Sequence, residues 1–148
     1  MTATRDDIVA AARALVGTPY VAHGRVPGPQ GGTDCLGVLI LIARACGFKP
    51  PEFDVNNYSL QPDGTMLHLL DEHCVRIPRA EMGGGDIVAV SWGDPTARHV
   101  GVVVPHRTYA GHLAIVHAYP KARAVREHRL ELGGFMGFVA AYRFQGVA

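Results

Sequence analysis

From Val38 to Cys46 the chain reads Val-Leu-Ile-Leu-Ile-Ala-Arg-Ala-Cys, a run that would be apolar on nearly every face of a helix. A helix of that kind has no surface to give to water, so the rest of the chain must be folded around it. Gly47 fits a C′ stop, and Thr33 or Asp34 can cap the start. The run is entered through Gly31-Gly32-Thr33-Asp34-Cys35-Leu36-Gly37, which puts Cys35 in the first turn of a buried helix. Unpaired N–H groups and the positive end of the helix dipole favour a thiolate there, and the same N–H groups could hold an oxyanion. A small buried hydrophobe is the other reading of such a cysteine, and position alone leaves both open.

With 148 residues, 48% of them hydrophobic, the chain is expected to form one domain over 1–148. Fourteen basic against 13 acidic residues, a net charge of +1, argue against a nucleic-acid groove or an anionic membrane surface as partner. Met1 to Asp7 lacks the basic head and apolar stretch of a secretory signal, and no apolar run approaches the roughly 20 residues that span a bilayer. Synthesis in the cytoplasm without a signal peptide, and no membrane insertion, are the expectations. Cys35, Cys46 and Cys74 show no CxxC spacing, so neither a disulfide framework nor a thiolate zinc site is indicated. His68-x4-His73 and His112-x4-His117 lack the i, i+4 spacing of a helical zinc motif. Neither a metal nor another cofactor is expected.

Thr4 can cap a helix with Asp6 and Asp7 in its first turn and Ile8, Ala11, Ala12 and Leu15 on one face, ended by Gly17. Thr18 to Thr33 is punctuated by Pro and Gly and reads as a long loop delivering the chain to Cys35. After the central helix, Pro50-Pro51, Asn56-Asn57 and Pro62-Asp63-Gly64 break the pattern before a third helix over 65–74. Five strands follow, at 86–92, 99–105, 113–119, 124–130 and 138–144, rich in Val, Ile and aromatics. Helices first and strands second predict an α+β fold, N-terminal helices packed on a C-terminal antiparallel sheet of about five strands.

A thiol nucleophile needs a base, and histidine serves near neutral pH. Of eight histidines, His23, His68, His73, His106, His112 and His128 stand among polar neighbours and read as solvated surface residues. His99 opens His-Val-Gly-Val-Val-Val and His117 lies near the end of Leu-Ala-Ile-Val-His-Ala, both among residues that bury. A hairpin in which Val104 faces His112 would set paired positions summing to 216, making His99 and His117 direct cross-strand neighbours. One imidazole could then act on the thiol while the second fixes its tautomer. Two buried core histidines is the alternative reading.

These residues, together with Gly17-Thr18-Pro19-Tyr20 and Gly85-Asp86-Ile87-Val88 in the same order, give a chain that resembles the NlpC/P60 family of papain-like cysteine peptidases, which cut peptidoglycan stem peptides. The resemblance implies hydrolysis of the bond between γ-D-glutamate and a diamino acid, with Cys35 as nucleophile, His99 as general base and acid, and His117 orienting His99. Tyr20 matches a tyrosine beside the nucleophile that can bind substrate or the oxyanion. Asp34 matches an acidic residue that in some members contacts a free substrate amine. Outside the resemblance, Tyr20 reads as a half-buried loop aromatic and Asp34 as a helix cap.

Leu36 departs from the serine with which many members recognise an amino-terminal L-alanine. The segment between His99 and His117 also looks longer than in compact members, which would put His106 to His112 near one rim of the groove. The resemblance is to the subgroup carried by phage and gene-transfer-agent tails, so the expected partners are the peptidoglycan stem peptide and phage-like tail proteins. The expected place of action is the periplasm or cell wall. A bacterial secretion system injecting a wall amidase is the alternative vehicle. A catalytically silent tail-assembly or peptidoglycan-binding module is the alternative function.

Overall fold

A computed structural model describes residues 2–59, 63–92 and 94–148, with the side chains of 94–98 excepted. Met1 and Pro62, both used in the sequence reading, lie outside the described residues. Helix α1 (Arg5–Ala14) begins with a capping box in which Thr4 and Asp7 each bind the other's backbone N–H. Two short strands, β1 (Arg25–Val26) and β2 (Gly32–Thr33), pair antiparallel within the predicted loop. Helix α2 (Cys35–Ala45) is the apolar run, and every residue from Cys35 to Ala43 is buried. Helix α3 (Thr65–His73) follows a left-handed Gly64.

Strands β3 (Cys74–Ile77), β4 (Ile87–Trp92), β5 (Asp94–Pro105), β6 (Leu113–Tyr119), β7 (Ala124–Arg129) and β8 (Met136–Phe144) form one antiparallel sheet in the order β3-β8-β4-β5-β6-β7. The fold is therefore the expected α+β arrangement, with one strand more in the large sheet than predicted and the unpredicted pair β1 and β2 beside it. The addition to the large sheet is β3, which leaves the end of α3 at Cys74 and pairs along Cys74↔Phe144 to Ile77↔Ala141. Four residues with Val75 and Arg76 exposed make a weak strand signal that only the edge of β8 turns into a pairing.

Helices α1 and α2 cover one face of the sheet. Ile8, Ala12, Val38 and Ile42 pack there against Ile87, Ala89, Val100, Val102, Val104 and Val116. A smaller cluster of Val88, Val90, Val103 and Ile115 occupies the other face, closed by Met82, Leu130, Leu132 and Phe138. Strands β4, β5, β6 and β8 thus alternate between two apolar environments, the pattern of strands covered on both sides.

Two glycines enforce close approaches. At Gly101 a Cβ would lie 2.7 Å from the Ile115 side chain and 2.8 Å from the Val116 carbonyl oxygen, so only glycine lets β5 and β6 come together at this point. Gly85 has φ +91° and lies against Arg5, which lets the chain turn into β4 and present Asp86 to its partners. Asp86 is buried and ties three elements together. It accepts from Arg5 of α1, from Nε and Nη2 of Arg143 in β8 at 2.8 and 3.0 Å, and from the Gly83 N–H at 2.9 Å.

Candidate active site

Asp34, not Thr33, caps α2. Its Oδ1 accepts from the Gly37 N–H at 2.8 Å, while Oδ2 accepts from the His23 N–H at 2.7 Å and from the Tyr58 hydroxyl at 2.6 Å. Arg25 adds a contact at 3.4 Å and also holds Tyr58 and Asp54 at 2.7 and 2.9 Å. The carboxylate is 0% exposed, so this network is the compensation for burying its charge. His23 adopts a left-handed φ of 58° to deliver its N–H. Neither Arg25 nor Tyr58 carried a signal in the sequence: Arg25 comes from β1, nine residues before Asp34, and Tyr58 from the segment after α2, 24 residues beyond it.

Cys35 follows directly, 5% exposed, its thiol facing the N–H groups of Leu36 and Val100. The second of these belongs to the residue after His99, so α2 and β5 meet at Cys35 and Val100. Burial, then the neighbouring Asp34 carboxylate, pushes the thiol up to about 12, and the facing N–H groups only partly offset this. The thiolate expected from the helix terminus is thus not the resting form. Helix N-terminal hydrogen bonding at Gly37 goes to Asp34, and the sulfur lies where charge is poorly solvated.

Tyr20 stands beside Cys35 and Asp34. Its hydroxyl is raised to about 12 by burial and then by those two groups. The loop that carries it is fastened by bridges Pro19↔Ala124 and Tyr20↔Thr33 and by the Tyr20 N–H to the Arg123 carbonyl at 2.8 Å.

His99 and His117 do meet, through Nε2 of His99 and Nδ1 of His117 at 2.7 Å. The register differs from the predicted one. Strand β5 pairs with β6 as Val102↔Val116 to Pro105↔Leu113, sums of 218, so the two histidines are diagonal rather than directly opposed. A shift of two residues keeps both on the same face, and imidazoles are long enough to close a diagonal. Trp92 packs edge-on to His99 with centroids 4.3 Å apart and stacks at 5.9 Å on His117, covering their contact.

Burial and then His117 hold His99 well below its ordinary range, while burial and then His128 bring His117 down to about 4. Both imidazoles are neutral at pH 7. His99 meets His117 through Nε2, so Nδ1 is the ring nitrogen that this contact leaves over.

His128, read from the sequence as a solvated surface residue, is exposed as expected but is not without a partner. Its Nδ1 lies 2.9 Å from His117 Nε2. The pairing Ile115↔His128 puts it diagonal to His117 on the same face, a relation that needed the register of β6 and β7. The loop over 106–112 lies beyond Pro105, at the far end of β5 from His99. Six residues of strand separate them by about 20 Å, so that loop is not at the rim of this site. Leu36 points into the apolar layer between α2 and α3, where it lines a cavity of about 50 Å³ with Leu39, Phe53 and Leu70.

The histidine burial makes stability pH-dependent. A folded His117 near 4 against an ordinary 6.5 means that the unfolded chain binds more protons between those values, so stability is full above about 6.5 and falls as the pH drops toward 4. Urea unfolding is expected to show a loss of about 3 kcal/mol from this group over that window, and His99 adds to it. A stability unchanged between pH 7 and 4.5 would contradict the buried neutral pair.

No family model matches this sequence, and no curated protein matches it. Its structure is similar to that of an NlpC/P60 family protein from Bacillus cereus, with a TM-score of 0.64 and 19% identity over 97% of this chain and 41% of that one. The chain thus spans less than half the length of the Bacillus protein. It is also similar to the P60 domain of an antigen from M. avium subspecies paratuberculosis, with a TM-score of 0.55 and 16% identity over 97% and 96% of the two chains. An N-acetylmuramoyl-L-alanine amidase from Bacteroides uniformis gives 0.52 and 13% over 95% and 98%. At these identities the likeness is one of fold: the chain has the α+β fold of NlpC/P60 proteins.

Proposed function

We propose that this protein is a cell-wall hydrolase of the cysteine peptidase type, acting on peptidoglycan stem peptides. The observation that carries this is the meeting of α2 and β5, where the Cys35 thiol faces the N–H of the residue next to His99 and His99 is bonded to His117. In this reading Cys35 keeps its proton at rest. As sulfur attacks the amide carbon, that proton passes to His99 Nδ1, and the S–C bond forms as the carbonyl oxygen takes negative charge. The Tyr20 hydroxyl and the Cys35 N–H receive that charge. His99 then protonates the departing amine, and water activated by His99 releases the acyl group. His117 holds the His99 ring in place.

Asp34 has its acceptor sites filled by protein donors. Its part in this reading is to hold the Cys35 turn and the Tyr58 and Arg25 side chains that flank it. A substrate amine would have to displace one of those donors.

Mass analysis of peptidoglycan fragments after incubation with the purified protein tests the reading. Cleavage between γ-D-glutamate and the diamino acid is the expected product. The amidase neighbour favours a second reading, in which the bond between the sugar lactyl group and L-alanine is cut, and the same masses distinguish the two. No change in fragment masses would leave the silent binding module as the function. A phage-like tail as carrier is part of the proposal, and recovery of the protein with tail particles checks it.

A further inference from the structure

His117 has both ring nitrogens engaged by other imidazoles, Nδ1 by His99 at 2.7 Å and Nε2 by His128 at 2.9 Å. The three rings lie on adjacent strands β5, β6 and β7, each offset from the next by two residues, and so form one diagonal row. A neutral imidazole has one N–H and one lone pair, so donors and acceptors along the row must all run the same way. Outward, His99 Nε2–H donates to His117 Nδ1, His117 Nε2–H donates to His128 Nδ1, and His99 Nδ1 is a bare lone pair. Inward, His128 Nδ1–H donates to His117 Nε2, His117 Nδ1–H donates to His99 Nε2, and the His99 proton sits on Nδ1. Only the outward row leaves His99 able to accept the thiol proton.

We infer that His128 is a positioning residue that sets the direction of this row: neutral, it accepts from His117 and arms His99, and protonated, its Nδ1–H reverses the row and disarms His99. The inference rests on the reading of Cys35 and His99 as the reacting pair. Reversal takes up one proton in total, leaving one on Nδ1 of His99, one on Nδ1 of His117 and two on His128.

His128 is the member through which solvent pH enters, because it is exposed while the other two rings are buried. Among the described residues, the groups around it are His117, Arg126 of its own strand and Tyr119 of β6, whose ring stands edge-on at 5.3 Å. It also lines an open groove of about 460 Å³ with Trp92, Arg129, Glu131 and Phe135. Burial and then Arg126 hold the charged form down, which places the reversal on the acid side of the ordinary histidine range.

The experiment combines imidazole nitrogen NMR of the full chain with kinetics on peptidoglycan fragments. At pH 7.5 His117 is expected to carry its proton on Nε2, and acidification to move it to Nδ1 in step with the titration of His128. His128→Leu, which cannot accept, is expected to lower kcat about tenfold with KM little changed. His128→Asn offers Oδ1 near the place of Nδ1 and does not titrate. It is expected to recover most of that loss and to move the acid limb of kcat down by at least one pH unit. A proton on His117 Nδ1 at pH 7.5, or a His128→Leu variant with unchanged kcat and acid limb, would overturn the inference. The NMR arm needs no turnover, so it decides the matter even if the protein hydrolyses nothing.

Discussion

Cys35→Ala is expected to lower kcat on peptidoglycan fragments by at least about 10⁴-fold, the scale on which removal of a covalent nucleophile acts. The substitution takes away one sulfur atom, and with it the only protein atom in this reading that bonds to the substrate carbon. His99, His117 and the N–H groups of Leu36 and Val100 keep their backbone positions, since none depends on sulfur for its place in a strand or helix. The fold should therefore hold within about 1 kcal/mol, read from urea unfolding. Activity above a tenth of wild type would sink the nucleophile assignment. A rate as low as expected accompanied by a collapsed unfolding midpoint would instead show that the cysteine serves packing.

Asp86→Ala should behave in the opposite way, with a large loss of stability and chemistry retained in the molecules that fold. The carboxylate is buried at the crossing of α1, β8 and the turn into β4, where it accepts from Arg5, Arg143 and the Gly83 N–H. Truncation leaves that N–H unpaired and two guanidinium groups without their counter-charge. Arg5 and Arg143 are 35% and 28% exposed, so water recovers part of their solvation and the loss falls at the low end for a broken buried pair. About 3 kcal/mol is expected, a fall of roughly 10 °C in Tm for a domain of this length. A shift of less than 2 °C would mean that the three elements are held by apolar packing alone. Asp86 lies outside the Cys35 site, so kcat per folded molecule should change little.

The contrast between these two acidic and nucleophilic positions follows how each is legible. Cys35 stands at the head of an unmistakable helix, and its candidate role could be read from local features: a cap, a helix start and an apolar run. Asp86 precedes a strand after three glycines, and nothing local tells that two arginines, 81 and 57 residues away along the chain, converge on it. Tyr58, 24 residues from Asp34, is hidden for the same reason. Side chains that meet through loops leave no periodicity behind.

The histidines show where pattern stops. Alternation put His99 and His117 each on a strand among burying residues, and the shared face survives in the structure although the register is 218 rather than 216. The face is protected because only an odd slip would turn a histidine over. Which rings touch depends on the even part of the register, and with it on sheet packing that no single strand encodes. His128 was lost to the sequence reading on that ground, since its neighbours are polar and its partner lies on another strand.

By itself, then, the sequence determined the buried helix, the cysteine at its head, the order of helices before strands and the two histidines that share a face. Tertiary structure decided the sixth strand, the diagonal row of three imidazoles and the burial that pushes the Cys35 thiol up. The physical division is one of range: caps, periods of 3.6 and 2, and apolar runs act within a few residues. Register, desolvation and charge pairing exist only once distant segments are packed together.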